Sequence, residues 1–88
     1  MKLKENYVLR QVADTWVVLP VGSALADFNG MMTLNASGAL LWKAMEQGAD
    51  RDKLASVLTS EYIVSLEQAQ NDVDEFLEKL QMAGCLEL

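Results

Sequence analysis

Hydrophobic and polar positions along the chain fall into two regimes. Up to about residue 34 the apolar residues come in short β-branched and aromatic runs; beyond it they recur with a helical period. "YVLRQVADTWVVLPVG" (Tyr7 to Gly22) is rich in valine and aromatics, residue types that suit a pleated, half-buried surface. Asp14 and Thr15 supply a weak turn signal inside it, which predicts two strands. Pro20 lacks an amide hydrogen and belongs near a strand end or on an edge. "ADFNG" carries a stronger turn signal in Asn29-Gly30, and "MMTL" (Met31 to Leu34) follows as a third short strand.

The helical regime begins at Asn35, whose side chain suits the N-cap of a first helix. Gly38, Leu41, Trp42 and Met45 then share one face, and Gly48 fits the stop. Gly38 is a poor helix former, so a close approach of another backbone is expected there. Asp50 caps a second helix with Leu54, Val57, Leu58 and Tyr62 on its apolar stripe. Ser65 and Gln68 form a capping box, flanked by Val64 and Ala69 at the staple positions. The third helix is the longest. Leu66, Ala69, Val73, Phe76, Leu77 and Leu80 keep its period, and Gly84 breaks it. The tail "CLEL" is expected to fold back on the core.

These elements predict one α+β domain over residues 1–88: a three-stranded antiparallel sheet followed by three helices, the second and third joined as a helix-turn-helix pair. An 88-residue chain holds one core and not two. No apolar run approaches the ~20 residues that span a membrane. The N-terminal "MKLKENY" has no apolar stretch behind its lysines, so the expectation is a cytoplasmic protein without a signal peptide.

Charge and chemistry then narrow the function. The chain has 13 acidic and 7 basic residues and no histidine, for a net charge of -6. Such a surface repels phosphate backbones and anionic lipid. A helix-turn-helix pair invites a DNA-binding or transcription-associated reading, and this is the alternative function. However, the third helix carries Glu67, Asp72, Asp74, Glu75 and Glu78 against a single cation, Lys79. A major-groove reader needs the opposite balance.

Without histidine, a Ser-His or Cys-His pair is impossible. Cys85, the only cysteine, lies among apolar residues and reads as a small buried hydrophobe. Asp72 and Glu75, three apart, read as a solvated pair on a polar helix face. No metal-ligand spacing and no nucleotide or cofactor fingerprint occurs. No catalytic residue, metal or cofactor is therefore expected, and a non-enzymatic binding module remains. If "MMTL" lies on an edge, its unpaired backbone groups can accept another strand. Met31 and Met32 are soft side chains that tolerate varied neighbours. The same edge could instead serve a homodimer, so monomer and homodimer both stay open.

"LNASGALLW" resembles the LN-x-x-G-x-x-x-W signature that opens the first helix of the PqqD-like family, the small proteins related to the pyrroloquinoline quinone (PQQ) synthesis protein D. The resemblance continues through "LASVLTSEY", "DVDEFLEKL" and "AGCLEL", and covers the chain from about Tyr7 onward. It implies a winged helix-turn-helix-like architecture for the sheet and three helices, and a recognition element for ribosomally made precursor peptides, a peptide chaperone without catalysis of its own. Its partners would be the leader segment of a precursor and a modifying enzyme, often a radical S-adenosylmethionine enzyme, as in PQQ biosynthesis. The leader would lie as an added strand against Met31, Met32, Thr33 and Leu34. The helix side of the groove would draw on Asp72, Val73, Glu75, Phe76, Lys79 and Leu80. Val73, Phe76 and Leu80 would divide between core and groove floor, with Asp72, Glu75 and Lys79 on the rim. Asn35, Gly38 and Trp42 would hold the junction's shape. One departure stands out: the position after Asn35, often acidic in the family, is Ala36 here. Many leaders are acidic, so steering would fall to rim cations, with Lys79, Arg10 and Lys43 as candidates.

Overall fold

A computed structural model describes residues 2–22 and 32–87. Within them the chain runs β1 (Lys2–Leu3), β2 (Tyr7–Val12), β3 (Thr15–Pro20), β4 (Met32–Leu34), α1 (Ala36–Glu46), α2 (Arg51–Glu61), α3 (Leu66–Met82) and β5 (Leu86–Glu87). The predicted sheet is present as an antiparallel sheet in the order β2-β3-β4, followed by three helices. The Asn29-Gly30 turn and Met31 lie outside the described residues.

The hairpin turn sits at Ala13-Asp14, one residue before the position expected. Val12 and Thr15 pair across it, and Ala13 has φ 55°. Left-handed φ is normally advertised by glycine or asparagine. An alanine there leaves the sequence signal weak and misplaced.

The turn also fixes which backbone groups of β3 face which neighbour. A pair that closes a two-residue loop exchanges both of its hydrogen bonds, and bonded and non-bonded pairs then alternate. Thr15, Val17 and Leu19 thus face β2. Continuing the series, the Val21 amide donates to the Asn6 carbonyl at 2.8 Å. Pro20, with no amide hydrogen, falls at a position facing away from β2. Trp16 and Val18 therefore face β4, where they pair with Leu34 and Met32.

One face of this sheet covers the helices. Val18, Met32 and Leu34 join Leu41, Trp42 and Met45 of α1, Leu54 and Leu58 of α2, and Val73, Phe76 and Leu80 of α3 in one core. Two positions expected in that core are exposed: Leu66 at 58% and Tyr62 at 41%. Leu66 lies on the right stripe of α3 but in its first residue, ahead of the packed turns. Tyr62 is the C-cap of α2, and its extended backbone (φ -130°, ψ 154°) takes its side chain off the helix stripe.

The caps follow the sequence, with one difference. Asn35 Oδ1 accepts from the Gly38 amide and Asp50 Oδ1 from the Lys53 amide, both at 2.8 Å. Ser65 Oγ accepts from the Gln68 amide at 3.1 Å. The reciprocal half of that capping box is replaced: Gln68 Nε2 donates to Asp72 Oδ1 at 2.8 Å, one turn further on. Gly48 and Gly84, at φ 88° and 78°, end α1 and α3 as expected.

A further pairing joins the chain's two ends. β1 and β5 form a two-stranded antiparallel sheet, and the Lys4 amide donates to the Cys85 carbonyl at 2.8 Å. The tail does fold back, with Cys85 and Leu86 buried. Two-residue strands carry no periodicity, so neither strand was legible in the sequence. No helix of the described residues is long and apolar enough to cross a membrane.

Candidate functional site: an open sheet edge beside a groove

β4 pairs with β3 on one side only, among the described residues. Because Met32 and Leu34 direct their backbone groups to β3, Thr33 directs its N–H and C=O to the open side. The side chains alternate in step: Met32 and Leu34 are buried at 7% and 5% exposure, while Thr33 is exposed. The outward carbonyl is occupied from across the gap. Lys79 Nζ, on α3, donates to Thr33 O at 2.8 Å.

Beneath this edge lies a groove of about 300 Å³. Its apolar floor is Leu34, Leu41, Leu58 and Phe76, and Asp72, Glu75 and Lys79 stand on its α3 wall. Residues 72, 75 and 79 fall on one helical stripe, whereas Val73 and Leu80 turn about 80–100° away from residue 72 at 3.6 residues per turn. Accordingly Val73 and Leu80 are fully buried behind the groove, and of the apolar trio only Phe76 reaches it. Asp72 Oδ1 accepts from the side-chain Nε2 of Gln68. Glu75 makes no hydrogen bond or ion pair with any described residue.

The opposite wall is the start of α1, which the sequence suggested as architecture alone. Asn35, Ser37 and Gly38 line it. Ser37 Oγ donates to Asn35 Oδ1 at 2.9 Å, so the cap oxygen serves two donors. The closeness at Gly38 is to side chains and not to another backbone: a Cβ there would stand 3.3 Å from both Leu34 Cβ and Asn35 Oδ1. Glycine thereby lets α1 begin tight against β4. The signal that could have found this wall was the Asn35–Gly38 spacing itself.

Of the three cations weighed for steering, only Lys79 is on the groove. Arg10 is on β2, two strands away, where its guanidinium donates to the Leu9 carbonyl. Lys43 stacks its ammonium on the Trp16 ring, 4.3 Å from the centroid. Asp74 is likewise spent elsewhere, bidentate with Arg51 of α2 at 2.6 and 2.9 Å. The hydrogen bond from Arg51 holds the Asp74 carboxyl below its ordinary range. Burial pushes the Cys85 thiol up to about 11, so it is protonated near neutrality. Among the described residues no cluster of metal-ligating side chains occurs.

The fold and site define a small α+β domain whose sheet ends in an open edge beside a helix-walled groove. The chain belongs to the family described as coenzyme PQQ synthesis protein D (PqqD), whose profile matches residues 15–86. Two solved structures are similar. One is described as TbiB1 in complex with the TbiA(beta) leader peptide. It is 24% identical, with TM-score 0.81, and the match covers 99% of this chain and 95% of that one. The other is a lasso peptide synthetase B1 complexed with the leader peptide. It is 25% identical, with TM-score 0.76, and the match covers 96% of this chain and 93% of that one. No curated protein matches the chain significantly.

Proposed function

We propose that the protein is a peptide-binding module. It takes the leader segment of a ribosomally made precursor as a fourth strand on β4 and presents the precursor to a modifying enzyme. The observation that carries this reading is the outward pair of Thr33 backbone groups above a groove with an apolar floor. Strand addition needs such a pair for affinity and pockets beside it for side-chain choice. Membership of the PqqD family and the likeness to two leader-bound proteins support it.

In this reading Met32 to Leu34 form the strand side of the site; Met31, also expected there, lies outside the described residues. Asp72, Glu75, Phe76 and Lys79 form the helix side, and Val73 and Leu80 support it from the core. The start of α1 forms the facing wall. The protein needs no catalytic group for this work. The enzyme served is one that modifies the core segment, and family resemblance points to the radical S-adenosylmethionine class.

The test is a titration of the 15N-labelled protein with peptides tiling the short open reading frames that flank its gene. Shifts are expected on residues 32–34 and on Asp72, Glu75, Phe76 and Lys79. Absence of binding by every such peptide, or shifts confined to β1, β5 and α2, would sink the proposal.

A further inference from the structure

An outward carbonyl on a sheet edge serves a foreign strand and a second copy of the same chain equally well. The protein answers this with one side chain. Lys79 reaches from α3 across the groove mouth and donates to Thr33 O at 2.8 Å. An incoming strand must present its own N–H at that oxygen, which the ammonium already holds. A second acceptor for the ammonium stands one turn back on the same helix: Glu75, which lines the groove and has no partner among the described residues. Glutamate four residues N-terminal to lysine is the favourable order for a helical pair. Asp72, the other carboxylate on that wall, already accepts from the side-chain Nε2 of Gln68.

We propose that Lys79 is a displaceable latch on the β4 edge. It occupies the Thr33 carbonyl while the groove is empty and so keeps β4 from pairing with β4 of another copy. It passes to Glu75 when an arriving backbone takes that carbonyl. The latch rests on the strand-addition reading, and it adds that occupancy is regulated by the passage of one α3 ammonium from the Thr33 carbonyl to a carboxylate of its own helix. The exchange is inexpensive because Lys79 and Glu75 are both exposed, and the ammonium keeps much of its water in either position.

The experiment is a double-mutant cycle on Lys79→Met and Glu75→Gln, with the flanking-gene peptides as probe and sedimentation as a second readout. Both side chains are exposed, so the core is untouched. Removing the competing donor should tighten peptide binding about two- to tenfold. It should also enlarge the dimer fraction of the peptide-free protein. Glu75→Gln should weaken binding about twofold where Lys79 is present and leave it unchanged in the Lys79→Met background. Weaker binding by Lys79→Met overturns the latch and leaves strand addition standing. So does a Glu75→Gln loss that persists without Lys79. If no peptide binds any of the four proteins, strand addition falls, and the latch falls with it.

Discussion

Proline placed at either of two adjacent residues of β4 separates the open side of the strand from its paired side. The Met32 amide faces β3 and pairs there with Val18. Met32→Pro removes that donor and leaves a buried carbonyl unpaired, at about 1–3 kcal/mol. It also gives up the packing of a side chain that is 7% exposed, worth about another 1–2 kcal/mol. A chain of this size is stable by only about 4–13 kcal/mol, so Met32→Pro should melt far below the wild type or fail to fold. Thr33→Pro is different. Its amide points to the open side and its side chain is exposed, so the fold should lose less than about 1 kcal/mol. Leader binding should suffer instead. One backbone hydrogen bond is lost and the occupant's carbonyl is left unpaired, about 1–3 kcal/mol together, or about five- to 150-fold in affinity. Thr33→Val keeps the amide and should bind within about twofold of wild type. The assays are circular-dichroism melts for stability and calorimetric titration for affinity. Wild-type binding by a folded Thr33→Pro protein would refute the strand-addition geometry. Collapse of Thr33→Pro on the scale of Met32→Pro would refute the assignment of which residue faces out.

Ala13→Gly should raise the unfolding free energy by about 0.5–1 kcal/mol in a denaturant titration, because Ala13 holds φ 55°, a conformation glycine adopts without a Cβ clash. Cys85 should resist iodoacetamide at pH 8 in the folded protein and react on denaturation. Its folded value, about 11, lies above the ordinary thiol range. The stability it contributes is therefore complete below about pH 9 and lost as pH rises towards 11; a Cys85→Ala protein should show a flatter alkaline melt profile over that interval. The Arg51–Asp74 pair acts at the other end of the scale. The Asp74 value is lowered, so its stabilising effect is present above the unfolded carboxylate range and fades as pH falls through the folded value. Asp74→Asn should flatten the acid limb of the melt profile, and an unchanged limb would show that the pair contributes nothing in solution.

How much of this was legible in the sequence depends on whether a residue's role was local. The caps at Asn35, Asp50 and Ser65, the breaks at Gly48 and Gly84 and the core stripe of α3 were all readable, since each is decided within one helical turn. Other features depend on where a chain segment ends or what it meets. Leu66 fits the stripe, yet in the first turn it stays 58% exposed. β1 and β5 join residues more than 80 positions apart, and no window of sequence holds both. The groove falls between these cases. The stripe of Asp72, Glu75 and Lys79 was visible from spacing, but the sequence could not say that α1 supplies the facing wall. Nor could spacing reveal which β4 amide faces outward. That followed from a chain of pairings that starts at the Ala13-Asp14 turn, passes through the alternation along β3 and ends at Thr33. A one-residue slip of that turn, with the β2–β3 register following it and the β3–β4 pairing unchanged, would direct Thr33's backbone groups into the sheet and Met32's to the edge. The weakest turn signal in the sequence therefore sets the polarity of the proposed binding edge. Lys79 gives an independent check on that polarity, since a side chain from α3 reaches the Thr33 carbonyl from the open side.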